Sequence, residues 1–288
     1  TFFRADGSVH VMDLAAQLRT KSFAVIRLDD ADARVVQHAV ACSSDFLEQG
    51  RPKKEDVLRP GFDDSAREVL AHGHRRSTVA HWEVRSQIRV ERHGPSWTTR
   101  QLGRWLAAGC ARICSASPRD GMGDVPARAP RRREREVLDS LDAAWDVLSQ
   151  VASACLPEHL APLLPRGTGR EVPTESLIDA FYYPQKYLEE VTCASHEDPG
   201  VIVVIANDVS GLEVYDADAG WVNVDLGPSD VAALVGRSWT KFESLALDDT
   251  VVHNACTHRV RTRADGPRCS VAFEIRPSRE GQFMLVAA

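Results

Sequence analysis

The chain lacks any apolar run near the roughly 18–20 residues that a membrane-crossing helix needs, so that class of protein is excluded. It lacks a Cys-x-x-Cys pair: Cys42, Cys110, Cys114, Cys155, Cys193, Cys256 and Cys269 are scattered and odd in number. A disulfide framework or a structural zinc site is therefore not expected, and free thiols in a reducing compartment are. No glycine-rich phosphate loop precedes a helix, which counts against the nucleotide-binding α/β folds. Positive charge is not in excess. The 35 Lys and Arg face 41 Asp and Glu, for a net charge of −6, so binding of nucleic acid through bulk charge is not expected. The opening residues show no basic stretch followed by an apolar one, so no signal peptide is expected and the expected location is cytoplasmic. The absence of an initial Met leaves a processed start open. What is present is ordinary globular material. The 288 residues, 43% hydrophobic and 26% charged, suit one large domain or two joined ones.

The first half is expected to be helical with a few strands. Val9–Leu14 and Phe23–Leu28 read as short strands. Ala31–Leu47 reads as a helix through Val35, Val36, Ala39, Ala41 and Phe46. Residues 99–116 predict another, through Leu102, Trp105, Leu106 and Ile113. The most regular helix spans 133–155, where Val137, Leu138, Leu141, Ala144, Trp145, Leu148, Val151 and Cys155 recur at three- and four-residue steps. Residues 115–133 read as a loop, and Arg131–Arg133 at its end as a solvated face. Beyond Pro165 short segments rich in Val, Ile, Tyr and Trp alternate with turns: Leu177–Tyr183, Val201–Ile205, Leu212–Tyr215, Trp221–Val224, Val231–Val235, Val251–Val252 and Cys269–Ile275. That texture predicts a sandwich or barrel. The chain thus divides into a helical and mixed region, 1–165, and a β core, 166–288.

One short motif carries chemistry. In Ser195-His196-Glu197-Asp198-Pro199-Gly200, positions i and i+2 of a strand face one side, which brings His196 and Asp198 together. A His nitrogen and a carboxylate oxygen are two-thirds of the facial triad that holds Fe(II) with open positions. The triad needs a second His from another strand, and His258 in Thr257-His258-Arg259-Val260 follows a strand-like stretch. Arg268-Cys269-Ser270 then puts Arg and Ser on one side of a strand, a planar fork and a hydroxyl suited to a carboxylate. Tyr183, before Pro184, adds a phenol.

Phe181-Tyr182-Tyr183-Pro184, His196-Glu197-Asp198-Pro199-Gly200, Gly211-Leu212-Glu213-Val214, Gly220-Trp221, His258-Arg259-Val260 and Arg268-Cys269-Ser270 occur in this order. Over residues 178–277 they resemble the non-haem Fe(II)- and 2-oxoglutarate-dependent dioxygenases, within them the isopenicillin N synthase-like subgroup. Val11–Leu14 and Ser22–Ile26 resemble that family's opening elements more loosely. The resemblance implies a mainly β fold with flanking helices: a double-stranded β-helix (jelly roll) with a helical N-terminal region. It implies Fe(II) on His196, Asp198 and His258, the distal carboxylate of 2-oxoglutarate on Arg268 and Ser270, and Tyr183 as an assisting phenol. The implied reaction uses dioxygen, converts 2-oxoglutarate to CO2 and a shortened acid, and oxidises an unactivated C–H bond of a small-molecule substrate, by default a hydroxylation.

The pattern departs from the family at Phe181, often Asn, and at Gly236-Arg237-Ser238-Trp239, where Gly-Asp is usual. The wide gap between Asp198 and His258 suggests a long loop from Trp239 to Asp249. Glu197 matches isopenicillin N synthase itself, in which the Arg-x-Ser pair grips a substrate carboxylate. Two alternatives therefore stand beside the oxygenase: an iron oxidase that does not use 2-oxoglutarate, and a metal-free jelly-roll binding protein. Arg85, in the alternating run Glu83–Val90, is a candidate for reading an acidic group on the substrate. His253 is a weaker candidate for the second His ligand. Trp82, Trp97, Trp239 and Phe242 are pocket candidates that read first as core. His72 and His74 read as an exposed loop, Cys110 and Cys114 as small core residues. Cys269 is expected to face away from the clamp.

Overall fold

The computed structural model describes residues 11–49, 68–70, 74–79, 83–91, 132–157, 160, 176–183, 191–247, 254–261 and 266–276. Three helices cover one side. Helix α1 (Val11–Lys21) buries Leu14 and Leu18, one turn apart. That spacing overrides the strand expected at Val9–Leu14, of which Val9 and His10 lie outside the described residues. Strand β1 (Phe23–Arg27) follows as expected. Helix α2 (Asp30–Gln49) is capped by Asp29, whose Oδ1 accepts the N–H groups of Ala31 and Asp32 at 2.8 and 2.9 Å. Its buried face runs through Ala33, Val36, Ala39, Val40, Ser43 and Leu47. That is rotated from the stripe expected, leaving Ala41 exposed. Helix α3 (Arg132–Ala154) buries every apolar position named for it, and Trp145 meets Phe273 edge-on at 5.0 Å.

The strands form two sheets. Strands β2 (Glu68–Leu70), β3 (His74–Val79) and β4 (Glu83–Glu91) extend the larger one. It also holds β5 (Leu177–Tyr183), β7 (Ile202–Asn207), β10 (Asp230–Val235) and β12 (Arg268–Ile275). Its order is β1-β10-β7-β12-β5-β4-β3-β2, and neighbouring strands pair antiparallel throughout. The smaller sheet is β6 (Val191–His196), β11 (His258–Arg261), β8 (Leu212–Asp216) and β9 (Gly220–Val224), in that order. This is the jelly roll with flanking helices.

Strand alternation separates two apolar layers. On β7, Ile202, Val204 and Ala206 join the helices, and Val203 and Ile205 join Leu212, Val214 and Val224 of the smaller sheet. Burial on both faces is why β7 reads as an apolar run from Ile202 to Ala206. The expected loop from Trp239 to Asp249 is instead mostly helix α4 (Arg237–Leu247). Trp239, Phe242 and Glu243 pack on one of its faces, so the two aromatics are core, not pocket. The expected elements at 99–116, 115–131 and Val251–Val252 lie outside the described residues.

Candidate metal centre

Strands β6 and β11 pair antiparallel with His196 opposite His258. His196 is the last residue of β6 and His258 the first of β11, so both imidazoles stand at one end of the smaller sheet, ring centres 4.3 Å apart. The strand-like stretch expected before His258, Val251–Val252, lies outside the described residues, and β11 begins on His258 itself. Asp198 lies beyond β6, so its convergence with His196 comes from a turn, not from strand alternation. Helix α4 clamps that turn. Arg237 N–H donates to Asp198 O at 2.9 Å, Ser238 N–H to Gly200 O at 3.0 Å, and the Ser238 hydroxyl to Pro199 O at 2.7 Å. Asp198 Oδ1 is 3.5 Å from His196 Nε2, and Oδ2 is 3.5 Å from His258 Nε2.

Among the described residues these three side chains form the one set with ligand atoms mutually within 4.8 Å. Each imidazole is oriented from behind. His196 Nδ1 donates to Ala194 O at 2.8 Å and His258 Nδ1 to Cys256 O at 3.0 Å. A carbonyl only accepts, so Nδ1 carries the proton in both rings and Nε2 turns toward Asp198. This is the backing that metal-binding histidines need. Thr257 next to His258 donates to Glu197 Oε1 at 3.3 Å, tying the two ligand-bearing segments together.

Burial holds His258 below its ordinary pKa, with Asp198 opposing and His196 adding. Burial also acts against the His196 cation, but its hydrogen bonds to Asp198 and Cys193 outweigh it and push the pKa up to about 11. At neutral pH the metal-free pair of His196 and Asp198 therefore holds a proton that a metal must displace. Divalent-metal binding is expected to release about one proton per site at pH 7 and to tighten as pH rises. Calorimetry in buffers of different ionisation enthalpy measures this; a proton count near zero would contradict it.

Gly236 supports the same turn. A Cβ there would collide with Gly200 O and sit 3.2 Å from Asp198 O. Gly236→Ala is expected to cost about 1–3 kcal/mol of stability and about tenfold in metal affinity, by displacing Asp198. Thermal melts and metal titration check both; unchanged values would show that the turn yields freely.

The second half of the site lies on β12. Arg268 is 4% exposed. Its Nη1 donates to Ser270 Oγ at 3.0 Å and its Nη2 to Asn207 Oδ1 at 3.4 Å, while its buried Nε has no partner among the described residues. Burial draws its pKa below the ordinary arginine value, opposed by Tyr183 and Asp208. Among the described residues no carboxylate lies within ion-pair distance of it, and a buried guanidinium with only neutral acceptors suits an anionic ligand. Tyr183 is the cross-strand neighbour of Arg268, whose Cζ lies 5.5 Å from the phenol ring centre. Tyr183 and Cys193 share a small buried cluster, and Cys193 Sγ is 3.9 Å from His196 Nδ1, which links clamp and imidazoles.

The sequence reading missed two residues here. Asn207 is held by Nδ2–H donation to Val209 O at 2.8 Å, so Oδ1 turns to Arg268. Asp208 Oδ1 accepts the Cys269 N–H at 2.8 Å and joins β7 to β12. Their only signal was a polar pair ending an apolar strand. Cys269 is buried in the helix-side layer, as expected. Arg85 stands opposite Ser77 on β4, and its side chain lies outside the described residues, as do His72, His253, Trp82, Trp97, Cys110 and Cys114.

Comparison with known proteins agrees with this geometry. Residues 174–277 match the model of the 2OG-Fe(II) oxygenase superfamily. No curated protein matches the chain. Among solved structures, the dioxygenase for auxin oxidation of rice is 18% identical, covering 94% of this chain and 78% of that one, with a TM-score of 0.57. The 2-oxoglutarate complex of dioxygenase for auxin oxidation 1 of Arabidopsis thaliana is 14% identical, covering 94% and 88%, with a TM-score of 0.59. A full-length Neurospora crassa protein in complex with alpha-KG and 5-formyluracil is 14% identical, covering 93% and 78%, with a TM-score of 0.56. At these identities the structures establish the jelly-roll fold. The family-model match covers the part of the chain that carries His196, Asp198, His258, Arg268 and Ser270. Among the described residues no helix is long and apolar enough to cross a membrane.

Proposed function

We propose that His196, Asp198 and His258 hold Fe(II), that Arg268 and Ser270 receive the distal carboxylate of 2-oxoglutarate beside Tyr183, and that the reaction hydroxylates an unactivated C–H bond of a small organic substrate. The observation that carries the reading is the pairing of two groups on the facing sheets. Two imidazoles at the end of one flank the carboxylate of Asp198, and the other carries a buried Arg with no carboxylate partner among the described residues. The donor set fits the metal: two nitrogens and one carboxylate leave positions open. The bound iron would supply the redox chemistry by which dioxygen and the cosubstrate oxidise the C–H bond. The chain's own side chains position the reactants. Arg268, Ser270 and Asn207 fix one end of the keto acid. The carbonyls of Ala194 and Cys256 hold the imidazoles in register. The apolar layer around Val203, Ile205 and Val214 keeps water from the interior.

Residues 166–288 would be the catalytic core and 1–165 the region that covers it, with Arg85 a candidate substrate contact on β4. A small-molecule substrate accords with the auxin oxidation and 5-formyluracil named for the neighbours. The free, largely buried thiols suit the reducing cytoplasm. The test is succinate formation from 2-oxoglutarate in air without added substrate. Slow, Fe(II)-dependent formation abolished by a chelator supports the reading; none, or formation indifferent to chelator, opposes it.

A further inference from the structure

The wall that carries Arg268 also carries a second buried charge that the proposed chemistry does not use. Along β12, Cys269, Val271, Phe273 and Ile275 face the helices, and Ala272 faces the smaller sheet. By the same alternation Arg268, Ser270 and Glu274 share the inner face. Glu274 is 6% exposed and stands against the turn that holds Asp198: a Cβ on Gly200 would lie 2.6 Å from Glu274 Cγ and Oε1. Its Oε2 accepts Arg276 Nη2 at 2.9 Å. Its Oε1 is buried and accepts no hydrogen bond from any described residue. Burial holds the carboxyl above its ordinary pKa, Arg276 opposing and the charges of Asp198 and Asp179 adding.

Packing does not explain a carboxylate here. The cross-strand neighbours of Glu274 are Val203 and Leu177, and an apolar side chain would fill the position without stranding an acceptor. An unmet buried acceptor beside the metal-site turn calls for a donor that arrives with a ligand. A carboxylate gains most from a charged donor.

The geometry points to Glu274 as the substrate-recognition residue, its Oε1 accepting a hydrogen bond from the protonated amine of a small-molecule substrate. This rests on the reading of the site as an iron and 2-oxoglutarate oxygenase. The test uses the full chain, anaerobic and loaded with Fe(II) and 2-oxoglutarate. It is titrated with benzylamine, benzyl alcohol and benzoate, followed by calorimetry and by the visible charge-transfer band. Benzylamine is expected to bind about tenfold more tightly than benzyl alcohol, with benzoate weakest. Glu274→Gln and Glu274→Leu are each expected to remove that preference. Equal binding of the three by the wild-type protein, absence of binding by benzylamine, or a preference that survives both substitutions overturns the assignment. The band recorded before each titration reports a folded site and separates the two levels of the account. A wild-type protein without the band refutes the oxygenase site. A band without amine preference refutes only the role of Glu274.

Discussion

Replacing His258 by Ala is expected to lower Fe(II) affinity by at least about a hundredfold, since losing a residue that merely orients a metal ligand already costs about 10–100-fold. His258 is 4% exposed and locked by its Nδ1 bond to Cys256 O, so its Nε2 has one direction to face. No other His, Cys, Asp or Glu among the described residues completes the set with His196 and Asp198. Anaerobic calorimetry with Fe(II) measures the change. His258→Ala binding iron as tightly as the wild type would remove His258 from the site and bring the weaker candidate, His253, into consideration.

Replacing Arg268 by Met is expected to raise the 2-oxoglutarate concentration for half-saturation by at least about thirtyfold, corresponding to the ~2 kcal/mol lower end for losing one partner of a buried charge pair. The effect on stability distinguishes a ligand clamp from a structural arginine. Arg268 is buried against neutral acceptors with Nε unpaired. Replacing it with an apolar side chain of similar length therefore removes a desolvation cost, and the melting temperature without 2-oxoglutarate should hold or rise. A fall equivalent to about 3 kcal/mol or more, the cost of breaking a buried pair, with unchanged 2-oxoglutarate affinity, would make Arg268 structural.

The parts of this fold that were legible in sequence are those where one physical signal dominates. Helix α3 repeats its apolar residues so regularly that its length and its buried face could both be read. Strands β5 and β12 are buried on both faces and bounded by turn residues. The metal ligands were legible as an ordered series rather than as single residues, since His196-x-Asp198 gains weight only with His258 and Arg268-x-Ser270 behind it. Strand β6 was missed because Thr192, Cys193, Ala194 and Ser195 show no apolar alternation, and pairing with β11 holds it. Helix α4 was missed because Gly236 and the polar residues around Trp239 read as a loop. Tertiary burial of Trp239 and Phe242, three positions apart, decides the matter. Asn207 and Glu274 could not be read at all: each is a polar residue at an inner-facing position of a buried strand. Its meaning depends on what stands opposite.

The central claim is that the two imidazoles, Asp198 and Arg268 together seat Fe(II) and 2-oxoglutarate. The most direct measurement is anaerobic visible absorption during addition of Fe(II) and then 2-oxoglutarate to the wild-type protein, to His258→Ala and to Arg268→Met. A weak charge-transfer band should appear in the wild type only when both are present. It should be absent from His258→Ala and need far more 2-oxoglutarate in Arg268→Met. Iron binding without a band in the wild type, or an undiminished band in His258→Ala, would contradict the account.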